Sequence, residues 1–160
     1  MRKWLLLLLF ISFPALAKDL STRLGVGYSN QFGLDDDLPS IAMRYYPNGE
    51  YGIMGALGVD TTEGNSRFGA QVKILKIVFK EDNLNFYTGA GAGLVSQEKS
   101  GKNNSGFDLS GFVGCEFFMP GLENLGLSFE TGVGVTSVDS QVRFRTIGDH
   151  PLRAGIMFYF

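Results

Sequence analysis

The sequence predicts an all-β chain folded as an eight-stranded antiparallel up-and-down transmembrane β-barrel. Three observations lead there. The first residues read as a secretion signal. The remainder alternates apolar residues with small or polar ones, at a period of two, through eight segments. No later window is apolar enough for a membrane helix, because Gly or a charge interrupts every apolar run within a few residues. Period-two alternation marks a strand whose two faces meet different surroundings. If such a chain enters lipid, its backbone amides must pair with one another, so the sheet must close.

The signal reading rests on Arg2 and Lys3, an apolar run from Trp4 to Phe13, Pro14, and then Ala15-Leu16-Ala17. A basic start, an apolar core and a small-x-small site are the marks of a cleaved export signal. The run is too short to span a bilayer as a helix, which takes roughly 20 residues. The expected organisation is a cleaved signal over 1–17 and one barrel domain over 18–160. Without Arg2 and Lys3 the remaining chain carries 12 basic and 16 acidic residues, a formal charge of −4. That balance gives no footing for nucleic acid. No Cys follows the cleavage site, which argues against a lipid anchor, and the single Cys115 excludes an internal disulfide. An exported fold without bridges must be stable by other means, and a closed barrel is.

The first strand is expected over Leu20 to Tyr28, with Leu20, Thr22, Leu24, Val26 and Tyr28 on one face. The second covers Leu38 to Tyr46, setting Ile41, Met43 and Tyr45 against Ser40, Ala42, Arg44 and Tyr46. Pro47-Asn48-Gly49 reads as a tight turn. The third runs from Tyr51 to Asp60, with Tyr51, Ile53, Leu57 and Val59 outward. The fourth, Arg67 to Phe79, starts with Phe68, Ala70, Val72 and Ile74 outward. Its parity then slips to Leu75, Ile77 and Phe79, so a β-bulge is expected near Ile74. Glu81-Asp82-Asn83 turns into the fifth strand, Leu84 to Leu94. The sixth spans Phe107 to Phe118, and Pro120-Gly121 turns into the seventh, Leu125 to Val138. The eighth ends at Phe160, with Leu152, Ala154, Ile156, Phe158 and Phe160 sharing a face. Its parity extends back through Val142 and Phe144, and Pro151, which cannot donate to a ladder, predicts a break at Asp149 to Pro151.

Strand parity alone does not say which face is inside, since a soluble lipocalin-type barrel also has eight strands. Two features favour a membrane. The face opposite the apolar one is rich in Gly and Ser, whereas a soluble exterior would be dense in charge. Small residues suit the crowded interior of a narrow barrel. Aromatic residues also gather at strand ends, at Tyr45, Tyr51, Phe79, Phe86, Phe117, Phe158 and Phe160, as in the girdle at a membrane–water interface. An even strand count sets both termini on one side, read as periplasmic. The outer connections are then Gln31 to Asp37, Thr61 to Ser66, Ser96 to Gly106 and a segment around Asp139.

The signal Met1 to Ala17, the eight alternating segments and the end Gly155-Ile-Met-Phe-Tyr-Phe160 resemble the small eight-stranded outer-membrane barrels. That group includes the transmembrane domain of outer membrane protein A and outer membrane proteins X and W. The resemblance covers the chain after the signal and is one of pattern. It implies insertion in the Gram-negative outer membrane, with lipids and lipopolysaccharide as surroundings. It also implies that the barrel assembly machinery reads the terminal strand at Ile156, Phe158 and Phe160. The chain stops where outer membrane protein A continues, so no peptidoglycan-binding domain is expected after it.

The charges on the small-residue face are Arg23, Arg44, Lys73, Asp108, Glu116, Glu130 and Arg153. Buried charges need partners, so these are expected to form an interior charge network. No catalytic residue, cofactor site or metal site is assigned. The only histidine, His150, could form a dyad with Asp149 and Ser137 or Ser140, and reads better as a loop residue. Asp35-Asp36-Asp37 reads as a solvated loop tip. Lys99, Lys102, Arg143 and Arg145 could meet lipid A phosphates. Gly89-Ala-Gly-Ala-Gly93 lacks the Gly-Lys-Ser/Thr of a phosphate loop and sits within a strand. Cys115 reads as a small apolar filler on the lipid face. The expected function is a monomeric, non-enzymatic outer-membrane barrel with a structural role in envelope integrity. A porin-like narrow conduit or binder for small or hydrophobic molecules is one alternative. A lipid A-modifying enzyme is the other.

Overall fold

The computed structural model describes residues 19–33, 37–99, 101–138, 141–146 and 152–160, with only the backbone described at 33, 37, 99 and 141. The expected signal lies outside these residues. The described chain is all β, with no helix among the described residues: β1 (Leu24–Gly33), β2 (Asp37–Tyr45), β3 (Tyr51–Asp60), β4 (Arg67–Glu81), β5 (Leu84–Lys99), β6 (Lys102–Met119), β7 (Leu122–Val138), β8 (Gln141–Thr146) and β9 (Arg153–Tyr159). Each strand pairs antiparallel with the next through β7, and β9 closes the ring by pairing with both β7 and β1. β8 and β9 occupy one position in the wall, so the barrel has eight staves. The chain reaches the same end of the barrel at Leu24 and Phe160, whose backbones exchange two hydrogen bonds.

Alternation decides the faces. Along β3, Tyr51, Ile53, Leu57 and Val59 are exposed, while Gly52, Met54, Ala56 and Gly58 are buried. The exposed set all round the wall is apolar: Ile41 is 69% accessible and Leu94 65%, while Arg44 and Glu116 are 0%. The interior is layered. Leu20, Tyr46, Leu75, Phe118, Met157 and Tyr159 fill the end nearest the termini, and Phe32, Leu38 and Val95 fill the far end. The charged side chains lie between. Interior glycines make room for the largest of these residues. A Cβ at Gly69 would meet the Phe32 ring at 2.8 Å, and one at Gly52 would meet the Tyr46 ring at 2.7 Å. A narrow barrel can hold a ring inside only where the facing strand has no side chain.

The short turns follow from local chemistry. Asn48 Oδ1 accepts from the backbone N–H of Glu50 (2.9 Å) and of Tyr51 (2.8 Å), an Asx turn that starts β3. Gly121 has φ of 85°, a left-handed conformation that glycine adopts without steric cost, at the β6–β7 turn.

Three expectations change. Leu20 does not face outward on β1: the chain turns at Ser21-Thr22, Arg23 N–H donates to Leu20 O at 3.0 Å, and Leu20 folds in to join the interior apolar layer. The bulge in β4 is not at Ile74 but between Ile77 and Phe79. Leu75 therefore points inward and is fully buried, and Lys76 points outward. The interior near the termini is apolar, so an apolar residue there is no guide to the outer face. The segment Ser96 to Gly106 is not an open loop, because β5 and β6 stay paired out to Lys99 and Lys102. The eighth strand is interrupted: Glu130 pairs with Arg153 and Val133 with Thr146, so β7 advances three residues while the last stave advances seven. The expected break residues Asp149 to Pro151 lie outside the described residues. Val142 and Phe144 face outward, as their parity requires.

Two glycines of β3 should respond differently to a side chain. Gly52→Val should destabilise the folded protein by about 1–3 kcal/mol in a urea titration, because Tyr46 must move. Gly55→Val faces outward with nothing within 4 Å and should change stability by less than about 0.5 kcal/mol.

Candidate functional site: the interior charge cluster

Four strands bring four charges together at mid-barrel: Arg44 from β2, Lys73 from β4, Glu116 from β6 and Glu130 from β7. Each occupies an inward position by strand parity, and each is almost wholly buried. Arg44 is the bridge. Its Nη1 donates to Glu116 Oε1 at 3.0 Å, and its Nη2 lies 3.5 Å from Glu130 Oε1 and 3.4 Å from Met54 Sδ. Lys73 Nζ donates to Glu130 Oε2. Two cations therefore meet two carboxylates.

Three phenols complete the carboxylate shells. Tyr159 Oη donates to Glu116 Oε1 at 2.6 Å, Tyr46 Oη to Glu116 Oε2 at 2.9 Å, and Tyr87 Oη to Glu130 Oε1 at 2.9 Å. Aromatic faces add to the cation side: Arg44 Cζ lies 5.3 Å from the Tyr87 ring centre and Lys73 Nζ 4.4 Å from that of Phe112. An ionised carboxylate has about four acceptor sites, and these donors fill most of them. That satisfaction is what lets charges sit in a place without bulk water.

The other predicted charges take different places. Asp108 forms its own cluster nearer the far end, accepting from Gln71 Nε2 (3.2 Å) and Thr136 Oγ1 (2.8 Å). Arg153 is buried and stands opposite Glu130 in the β7–β9 register. Arg23 is a correction: it is not in the interior network. It lies just before β1, half-buried at the rim, and its Nη1 donates to Asn124 Oδ1 at 2.9 Å. Parity drew it inward, but the first strand begins one residue later than its reach into the barrel would need.

Tyr46, Tyr87 and Tyr159 were not among the expected site residues. Their positions carried the signal, since Tyr46 shares a face with Arg44, Tyr87 with Asn85, and Tyr159 with Arg153. A tyrosine on the charged face of a barrel strand is a donor to whatever carboxylate lies beside it.

Ile156, Phe158 and Phe160 all point outward and are exposed. Cys115 is half-buried on the outward face. His150, Asp149, Ser140, Asp35 and Asp36 lie outside the described residues, as do the side chains of Asp37 and Lys99. Among the described residues no group of three or more His, Cys, Asp or Glu is placed to hold a metal. Gly89 to Gly93 lie within β5. The chain matches no family model, no curated protein and no solved structure.

Removing the bridge should be costly. Arg44→Met leaves two buried carboxylates short of a cation and should destabilise the barrel by about 3–5 kcal/mol in a urea titration. Adding Glu116→Gln to Arg44→Met should recover part of that loss, because one unpaired charge is gone.

Proposed function

We propose that this protein is a monomeric, non-enzymatic integral outer-membrane barrel whose role is structural. One observation carries the reading. The molecule is inside-out relative to a soluble protein, with apolar side chains exposed around the whole wall and paired charges buried at its centre. A soluble domain seldom exposes a continuous apolar surface beyond a few hundred Å². A lipid-facing barrel presents just this outward apolar band and polar interior. In this reading the outward faces of β1–β7 and β9 lie against outer-membrane lipids and lipopolysaccharide. The termini are periplasmic, and the barrel assembly machinery engages Ile156, Phe158 and Phe160, as in the small barrels that the chain resembles.

The packing of the interior favours a structural role over transport. Tyr46, Tyr159 and Phe118 form an aromatic floor, with ring centres 6.2 Å (Tyr46–Tyr159) and 5.9 Å (Phe118–Tyr159) apart. Above it the Arg44 cluster bridges the walls from β2 to β6 and β7. Solute would have to displace both layers.

The experiment has two arms. Fractionation should place the protein with outer-membrane lipid, extractable by detergent and migrating faster on a gel unheated than boiled. Purified protein in planar bilayers should give no resolved conductance steps. Recovery from the aqueous fraction without detergent would overturn the membrane assignment. Steady channel openings would replace the structural role with the conduit.

A further inference from the structure

We infer that Tyr159 and Glu116 form a closure latch, which fixes the last strand in register against β1 from inside the barrel. The wall closes over a short ladder. The β1–β9 ladder runs from Leu24 and Phe160 to Ser29 and Gly155, whereas β5 and β6 pair along their whole length from Leu84 to Lys99. Beyond Ser29 the ladder gives way to side chains: Ala154 N–H donates to Asn30 Oδ1 at 2.6 Å, and Ser29 Oγ donates to Ala154 O at 3.2 Å.

The inward face of β9 supplies what the short ladder lacks. Tyr159 donates its phenol to Glu116 on β6, reaching inside the barrel over Gly126 of the intervening β7. That carboxylate is held independently by Arg44 and Tyr46 on the β2 side. The acceptor is therefore fixed by elements other than the strand it receives. The Tyr159 ring also covers both neighbours of β9. A Cβ at Gly25 of β1 would lie 2.7 Å from its Cε1, and one at Gly126 of β7 would lie 3.1 Å from its Cε2. Glycine at these two positions gives the ring a slot on each flanking strand. A slip of one residue would turn Tyr159 outward and put Phe158 or Phe160 against Glu116, leaving a buried carboxylate short of a donor. The latch thus rejects the wrong register as well as holding the right one.

The inference does not depend on which membrane surrounds the barrel, so its failure would leave the proposed function standing. Tyr159→Phe keeps the ring and removes the donor. Tyr87→Phe is the matched control, since Tyr87 makes the same kind of bond to Glu130 from β5 and touches no part of the seam. The measurement is amide hydrogen exchange on the folded chain in detergent micelles. Tyr159→Phe should speed exchange over 25–29 and 155–159 by about tenfold or more relative to β3 and β4. Tyr87→Phe should show no such bias toward the seam. A disulfide between Val26→Cys and Phe158→Cys, which are partners across the seam, made in a Cys115→Ser background, should restore seam protection in Tyr159→Phe. Should Tyr159→Phe not fold alone, the cross-linked form should fold. Unchanged seam exchange, equal seam effects from both variants, or no rescue by the cross-link would each overturn the latch.

Discussion

Arg44 stands between two carboxylates in a space closed by apolar layers at both ends, and the rest of the barrel is arranged around keeping it there. A guanidinium in such a place is tolerable only if its partners are fixed and close. Glu116 and Glu130 come from adjacent strands, β6 and β7, on the opposite side of the ring from β2. The distance across the interior therefore has to match the reach of one arginine and one glutamate. An eight-stave barrel has about that width, with space only for side chains. The cluster is as much a consequence of the strand number as a support for it.

The glycines are the other half of the same constraint. A ring of tyrosine, phenylalanine and arginine side chains cannot fit inside eight staves if every inward position carries a Cβ. Tyr46 lies over Gly52, Tyr159 over Gly25 and Gly126, Phe32 over Gly69 and Phe112 over Gly89. Each of these four rings has its glycine on a facing or adjacent strand. The interior is thus filled by pairing large with absent, as in well-packed cores, and polarity is carried by the few positions that can be fully bonded.

Much of this was legible in the amino-acid order. Strand parity placed Ile41, Met43, Leu57 and Val72 outward and Arg44, Lys73, Glu116 and Glu130 inward, because a period of two leaves only one choice once the lipid side is decided. β3 was legible to the residue, since an Asx turn starts it and an unbroken alternation fills it. What parity misread were positions where the interior itself is apolar. Leu20 and Leu75 face in because the end of the barrel nearest the termini is filled with hydrocarbon, which a rule of polar inside and apolar outside does not anticipate. The extent of β5 and β6 was underread because their outer ends, around Gln97 and Asn104, are polar on both faces and carry no hydrophobic signal. Which charges meet was not legible at all. That depends on distances across the interior, and these follow from stagger between strands rather than from the order of residues along any one of them.

The apolar outer wall and the inward charges define the barrel. Single spin labels at Ile41, Val72 and Leu94, in a Cys115→Ser background reconstituted in phospholipid vesicles, test that directly. Oxygen concentrates in lipid and a nickel chelate stays in water, so collision rates with each report the surroundings of a label. All three labels should collide readily with oxygen and little with the chelate. Ready access of the chelate to all three would mean that the apolar wall faces water, which the inside-out barrel does not allow.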